Sequence, residues 1–171
     1  GEGQILDTVC DNKCSSGKYS TAVGLSSDDD CTPCSAGLYS TAGAGQKTVA
    51  VCDKKCSPGK YSTAVGLSSD DQCTKCTGGR FSTAGEGQTS ADVCTPCAAG
   101  LFSIAGEGQT LDTVCDNKCS PGKYSTAVGL SSDDDCTPCS AGFYSTAGAG
   151  QTSVAVCDDN KCTPGKYSTA V

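Results

Sequence analysis

The chain has 171 residues, with 16 cysteines, 22 glycines, no tryptophan, methionine or histidine, and a net charge of −7. That charge excludes nucleic acid as a partner, because no basic patch exists to neutralise phosphates, and it disfavours an anionic membrane surface. No run approaches the roughly 20 apolar residues of a membrane span, and large aliphatics are too sparse for a conventional core, so cysteine is left as the staple.

Taken in order, the first cysteine of each pair falls at Cys10, Cys31, Cys52, Cys73, Cys94, Cys115, Cys136 and Cys157. The second falls at Cys14, Cys34, Cys56, Cys76, Cys97, Cys119, Cys139 and Cys162. First cysteines recur every 21 residues, while the gap inside a pair drifts from two to four residues. A fixed period over so many copies marks a repeat array. The units are 1–9 (partial), 10–30, 31–51, 52–72, 73–93, 94–114, 115–135, 136–156 and 157–171 (partial). Residues 1–65 recur as 106–171 with one inserted residue, which makes a higher repeat of 105. Because both ends of the sequence fall inside a repeat, the expectation is a piece of a longer chain.

Three loop types follow the second cysteine. A lysine type, Ser-Pro-Gly-Lys-Tyr-Ser-Thr-Ala-Val-Gly-Leu-Ser-Ser-Asp-Asp-Asp in its fullest form, follows Cys14, Cys56, Cys119 and Cys162. An Ala-Gly-Ala-Gly-Gln type follows Cys34 and Cys139, and an Ala-Gly-Glu-Gly-Gln type follows Cys76 and Cys97. In every loop a glycine stands three residues past the cysteine, where it predicts a positive φ or a close backbone approach. An aromatic stands five past it: Tyr19, Tyr39, Tyr61, Phe81, Phe102, Tyr124, Tyr144 and Tyr167. Held in one register, these read as the miniature core of each repeat, lying on a neighbouring disulfide. The Tyr-Ser-Thr-Ala-Val run favours strand, and the Gly/Ser/Asp segments are turn chemistry. The predicted fold is a small disulfide-rich repeat array: an elongated rod of ~21-residue units with short β-hairpins between cysteines, mostly irregular and almost without helix.

The cysteines admit two readings. Part of the spacing suits zinc, but the drift in pair spacing, the lack of histidine and the unbroken series favour disulfides. Uniform loops favour one uniform topology, in which each bridge closes one loop: Cys14–Cys31, Cys34–Cys52, Cys56–Cys73, Cys76–Cys94, Cys97–Cys115, Cys119–Cys136 and Cys139–Cys157. Cys10 and Cys162 would then pair with cysteines outside the sequence. Pairing 1–3 and 2–4 within sets of four uses all 16 cysteines internally, and both schemes stay open at this point.

The pattern C-x-x-C-x-x-G-x-[YF]-S…C-x-x-C, as in Cys31-Thr32-Pro33-Cys34-Ser35-Ala36-Gly37-Leu38-Tyr39-Ser40, resembles the ephrin-receptor-like cysteine-rich repeats, relatives of the tumour-necrosis-factor-receptor modules. Protist surface antigens and algal flagellar hair proteins look similar. The resemblance covers essentially the whole chain and implies an extracellular, elongated, disulfide-laddered rod. Both pairing schemes occur in the receptor modules. The near-identical Gly/Ala-rich loops depart from the diverse loops that a ligand-binding receptor uses.

The remaining candidates are weak. The acidic runs Asp28, Asp29, Asp30 and Asp133, Asp134, Asp135, with the shorter Asp70, Asp71, are weak calcium candidates that lack the spaced ligands and glycine of an EF-hand loop; a solvated turn is the plainer reading. Ser/Thr clusters and modified proline are candidate O-glycan acceptors. Without histidine or a defined carboxylate pair, acid–base and nucleophilic catalysis have no constellation to rest on, so no enzyme and no cofactor are expected. The sequence reads as a structural protein whose partner is itself, in an extracellular filament, flagellar hair or surface coat. The alternative is the stalk or ectodomain of a cell-surface antigen, adhesin or receptor.

Overall fold

The computed structural model describes residues 11–158 and 161–169. Six two-stranded antiparallel sheets are built from β1 (Lys18–Tyr19) with β2 (Thr32–Pro33), β3 (Leu38–Tyr39) with β4 (Lys54–Lys55), β5 (Lys60–Tyr61) with β6 (Thr74–Lys75), β7 (Arg80–Phe81) with β8 (Thr95–Pro96), β9 (Leu101–Phe102) with β10 (Asn117–Lys118), and β11 (Lys123–Tyr124) with β12 (Thr137–Pro138). The one α-helix among the described residues is the single turn α1, Ala155–Asp158. The chain is a small disulfide-rich repeat array.

Each repeat is shaped by two turns. Past the second cysteine, the Lys18 N–H donates to Ser15 O at 3.1 Å, and the same four-residue turn recurs as Leu38 to Ser35, Arg80 to Thr77, Leu101 to Ala98 and Lys123 to Ser120. Its third residue is the plus-three glycine, as at Gly37 with φ +74°, and where proline occurs it sits just before that glycine. Proline then glycine at the two central positions is the chemistry of a type II turn. The second turn is a 3-10 turn ahead of the next cysteine. In the lysine type it is Asp28–Asp30, Asp70–Gln72 or Asp133–Asp135, opened by a capping box from Ser27, Ser69 or Ser132. Reciprocal side-chain bonds at such a box satisfy the orphan N–H groups of a short helical turn.

The strands do not pair inside their own loop, as the sequence suggests. Tyr19 pairs with Thr32 and Lys18 with Pro33, so the partner strand is the joint between the two cysteines of the next pair. The Ser-Thr-Ala residues leave the strand. Their serine oxygen accepts from the N–H two residues on, for example Ala42 to Ser40 at 3.3 Å, a local turn that competes with further pairing.

The described chain divides into two compact units. The described residues of the first are 11–57, 61–74 and 86–90; those of the second are 58–60, 75–85, 91–158 and 161–169. In the first, the hairpins are extended by parallel bridges from the following loop: Tyr19 to Gln46, Tyr39 to Leu67 and Tyr61 to Gln88. In the second, the same bridges join Phe81 to Gln109, Phe102 to Leu130 and Tyr124 to Gln151. A hairpin of two residues per strand is not stable alone, and the loop of the next repeat supplies its third edge.

Cysteine, not the aromatic, dominates the core. All 14 cysteines that form the bridges are buried, from 0% to 8% exposed. Phe102 is buried and packs with Cys119 and Cys136, with Leu130 alongside. Tyr39 lies half-buried on Cys56, Cys73 and Leu67. Tyr19, Tyr61, Phe81 and Tyr124 are likewise half-buried. Tyr144 and Tyr167, expected as core, are instead 46% and 86% exposed. The aromatic is covered by the loop that follows it, and among the described residues no such loop lies over these two.

Candidate functional site

The feature with the most chemistry to explain is the contact between repeats, and it is assembled from backbone. In the first unit, the Gly45 N–H donates to Cys14 O, Gly66 to Cys34 O and Gly87 to Cys56 O, each at 2.8 Å. In the second, Gly108 donates to Cys76 O, Gly129 to Cys97 O and Gly150 to Cys119 O, again at 2.8 Å. A second bond runs from the serine after the aromatic to the following loop, as Ser40 N–H to Leu67 O at 3.0 Å and Ser103 N–H to Leu130 O at 3.1 Å. A third runs from the second cysteine back to the preceding plus-three glycine, as Cys56 N–H to Gly37 O and Cys119 N–H to Gly100 O, both at 2.9 Å. Main-chain groups must be satisfied wherever they are buried, and here they are satisfied between neighbouring repeats.

The plus-three glycine also meets the repeat two steps on. A Cβ at Gly37 would stand 2.5 Å from Gly87 O, and one at Gly100 would stand 2.6 Å from Gly150 O. Gly17 approaches Gly66, Gly59 approaches Gly108 and Gly79 approaches Gly129 in the same way. Both reasons for the glycine therefore hold at once: a positive φ and a close approach. Between these layers the residue before the second cysteine fills space. Pro33 and Pro96 lie under Gly66 and Gly129, while the aliphatic stems of Lys13, Lys55, Lys75 and Lys118 lie under Gly45, Gly87, Gly108 and Gly150. A lysine stem packs while its ammonium stays in water.

The structure joins Cys14 to Cys31, Cys34 to Cys52, Cys56 to Cys73, Cys76 to Cys94, Cys97 to Cys115, Cys119 to Cys136 and Cys139 to Cys157. Their Cα–Cα distances run from 5.3 to 5.8 Å, inside the range a disulfide spans. Lysine-type loops close over a separation of 17 and the others over 18. The extra joint residue at Cys52/Cys56 and Cys115/Cys119 precedes a shorter loop, which accounts for a drifting pair gap within a constant period. Cys162 forms no bridge among the described residues; Cys10 lies outside them.

The first and third positions of the acidic runs are engaged by donors of their own repeat. Asp28 takes the Lys18 ammonium (2.6 Å) on one oxygen and the Ser15 N–H (2.7 Å) on the other, which holds its carboxyl down at about 2. Asp133 is lowered in the same way by the Lys123 ammonium at 2.8 Å, with the Ser120 N–H at 2.7 Å. Asp30 accepts from the Ser26 N–H, the Ser26 hydroxyl and the Ser27 N–H, and its carboxyl is lowered. Asp135 is lowered by the matching donors of Ser131 and Ser132. Asp70 accepts from the Ser57 N–H, and Gln72 replaces the third aspartate. Asp29, Asp71 and Asp134 are exposed. Among the described residues no group of three or more His, Cys, Asp or Glu side chains could hold a metal ion.

Sequence reasoning missed the buried serine. Ser40, Ser62, Ser82, Ser103 and Ser125 are 1–3% exposed. The signal was present, because serine follows the aromatic in all eight loops. It also missed the lysine–aspartate clamp. Arg80 serves in the place of Lys18 and reaches the Cys94 carbonyl at 2.9 Å instead of a carboxylate.

No protein-family model matches the chain, and no curated protein matches it. No helix among the described residues is long and apolar enough to cross a membrane. A chain stapled at this density by disulfides belongs with extracellular structural or surface proteins, where the environment is oxidising.

Proposed function

We propose that the chain is a structural protein, a disulfide-laddered rod that assembles with copies of itself into an extracellular filament, flagellar hair or surface coat. The observation that supports this most is the inter-repeat contact. The same three backbone hydrogen bonds and the same glycine approach recur from repeat to repeat in both units. Stacked repeats that each contact only near neighbours form quasi-one-dimensional arrays. Near-identical units also present identical outward groups at regular intervals, which suits association between like chains. Exposed Thr21, Thr41, Thr63, Thr83, Thr126 and Thr146 recur at one register and are the proposed acceptors for O-glycans on such a surface.

Negative-stain electron microscopy of the oxidised protein tests the reading. Filaments or sheets with an axial repeat are the expected result. Monodisperse single chains under all conditions overturn it, as does a full-length sequence in which the repeats end at a membrane anchor below a divergent distal domain.

A further inference from the structure

The contacts between consecutive repeats are of two kinds, and the residue before the second cysteine differs between them. Over Pro33 and Pro96 the following loop presents Gly66-Leu67 and Gly129-Leu130. Over Lys13, Lys55, Lys75 and Lys118 it presents Gly45-Gln46, Gly87-Gln88, Gly108-Gln109 and Gly150-Gln151. Among the described residues proline never meets glycine–glutamine, and lysine never meets glycine–leucine. Lys118 with Gln151 repeats Lys13 with Gln46 through the 105-residue duplication, so the rule holds at five independent junctions. Joint length does not separate the kinds, because Thr74–Lys75 and Thr95–Pro96 are joints of the same two-residue build.

The two kinds differ in what they bury. A Cβ at Gly66 or Gly129 would stand 3.3 Å from the Cβ of Pro33 or Pro96, and both prolines are half-buried. The leucine beside that glycine is drawn onto cysteine and an aromatic: Leu67 with Cys56, Cys73 and Tyr39, and Leu130 with Phe102, Cys119 and Cys136. At the other junctions a lysine stem runs under the glycine, with three carbons of Lys55 at 3.4–3.5 Å and three of Lys75 at 3.7–3.8 Å. All four of these lysines are exposed. Their glutamines turn back on their own loop, as where Gln46 Nε2 donates to Gly43 O and Gln151 Nε2 to Gly148 O, both at 3.0 Å. A lysine stem packs only where its ammonium still reaches water, whereas a leucine gains by leaving water.

We propose that this residue selects the loop that can pack after it, proline a Gly-Leu loop and lysine a Gly-Gln loop, and so fixes the order of near-identical repeats. Proline has no charged head to keep wet, so a leucine can close over cysteine beside it. Lysine under a Gly-Leu loop would bury its ammonium or withdraw its stem and leave the glycine without support. Glutamine over proline would leave the aromatic and the disulfide without their apolar cover. A loop set one place out of order would bring Lys75 against Gly129-Leu130 and Pro96 against Gly150-Gln151, a mismatch at both. Discrimination of this sort comes from the cost of the wrong partner as much as from the gain of the right one. The selection acts within one chain and stands apart from whether copies assemble.

Native-state hydrogen exchange of the oxidised 171-residue chain tests it, through a double-mutant cycle on each kind of junction. At the apolar junction the variants are Pro96→Lys, Leu130→Gln and the two together. They are read at the Gly129 and Ser103 amides, which donate to Cys97 O and Leu130 O. Each single variant is expected to lower protection there about tenfold, and the pair to lose less than either alone. The reciprocal swap, Lys75→Pro with Gln109→Leu, is read at the Gly108 and Ser82 amides, which donate to Cys76 O and Gln109 O. That swap adds apolar surface instead of removing it, so lost packing alone cannot produce the same recovery in the pair. Wild-type protection of the Gly45 amide, in the other unit, establishes that each variant keeps its fold elsewhere. If a single variant fails to form its bridges, their return with the matching second substitution supports the selection, and their continued absence counts against it. Single-variant losses that multiply in the pair to within about twofold, in either swap, overturn it.

Discussion

Gly37 shows how much one residue carries in this molecule. Its φ of +74° lies in the left-handed region, and a methyl group there would sit 2.5 Å from the carbonyl oxygen of Gly87. An L side chain costs roughly 1–2 kcal/mol in that region before any collision, and backbone cannot move aside as a flexible side chain can. Gly37→Ala is therefore expected to destabilise the oxidised protein by about 3 kcal/mol. Gly43→Ala is the control, because Gly43 is not at positive φ and has nothing within 4 Å; it should stay within about 0.5 kcal/mol of wild type. Denaturant unfolding of the two variants makes the comparison, and equal losses would show that the close approach is unimportant.

At the scale of the element, the 3-10 turn is held by carboxylates rather than by packing. Asp28 caps the Ser15 N–H and pairs with Lys18, and Asp30 accepts three donors from Ser26 and Ser27. Hydrogen bonds to the charged form favour ionisation, so the folded carboxyl of Asp28 sits at about 2, below its ordinary 3.8. A lowered folded value means that the turn gains stability above 3.8 and loses it as pH falls through about 2. Between pH 7 and pH 5 nothing should change. Carboxyl-carbon NMR is expected to titrate Asp28 near 2, with faster exchange of the Ser15 amide over the same range. A midpoint at the ordinary value would remove the clamp from the account. In the loop after Cys76 an Arg80–carbonyl bond stands where Lys18 meets Asp28, so that loop should be insensitive to this acid step.

For the whole molecule, disulfides take the place of a hydrophobic core. The largest fully buried side chains among the described residues are Cys34, Cys56, Cys76, Cys97 and Cys119, with the serines Ser40, Ser82 and Ser103. Closing a loop of this size removes about 3 kcal/mol of unfolded-chain entropy, and a two-residue hairpin has little else to oppose unfolding. Removing one bridge with Cys97→Ser and Cys115→Ser should cost about that amount. Because the hydrogen bonds and glycine approaches between described repeats reach one and two repeats along, the loss of amide protection should stay within the adjacent repeats of the same unit. Full reduction should abolish slow exchange throughout, as hydrogen exchange with mass spectrometry can read. Protection that survives reduction would mean that the backbone contacts suffice alone.

Much of this was legible in the residues. The 21-residue period, the array of small units, the near absence of helix, the turn at the plus-three glycine and the poverty of apolar volume all follow from local chemistry, which the chain repeats often enough to read. Three things were not legible. The strand's partner proved to be the joint beyond the loop, because pairing is decided by where the disulfide brings the chain rather than by strand propensity. The aspartates proved to be caps, because a carboxylate's partners come from 10 to 13 residues away as well as from its own turn. The aromatic proved to be core only where a later loop covers it, which leaves Tyr144 outside although its sequence context matches that of Tyr39. Periodicity, set by residue type and spacing, was the sequence's to determine; which groups meet across repeats was settled only when seven bridges and the glycine approaches brought distant backbone together.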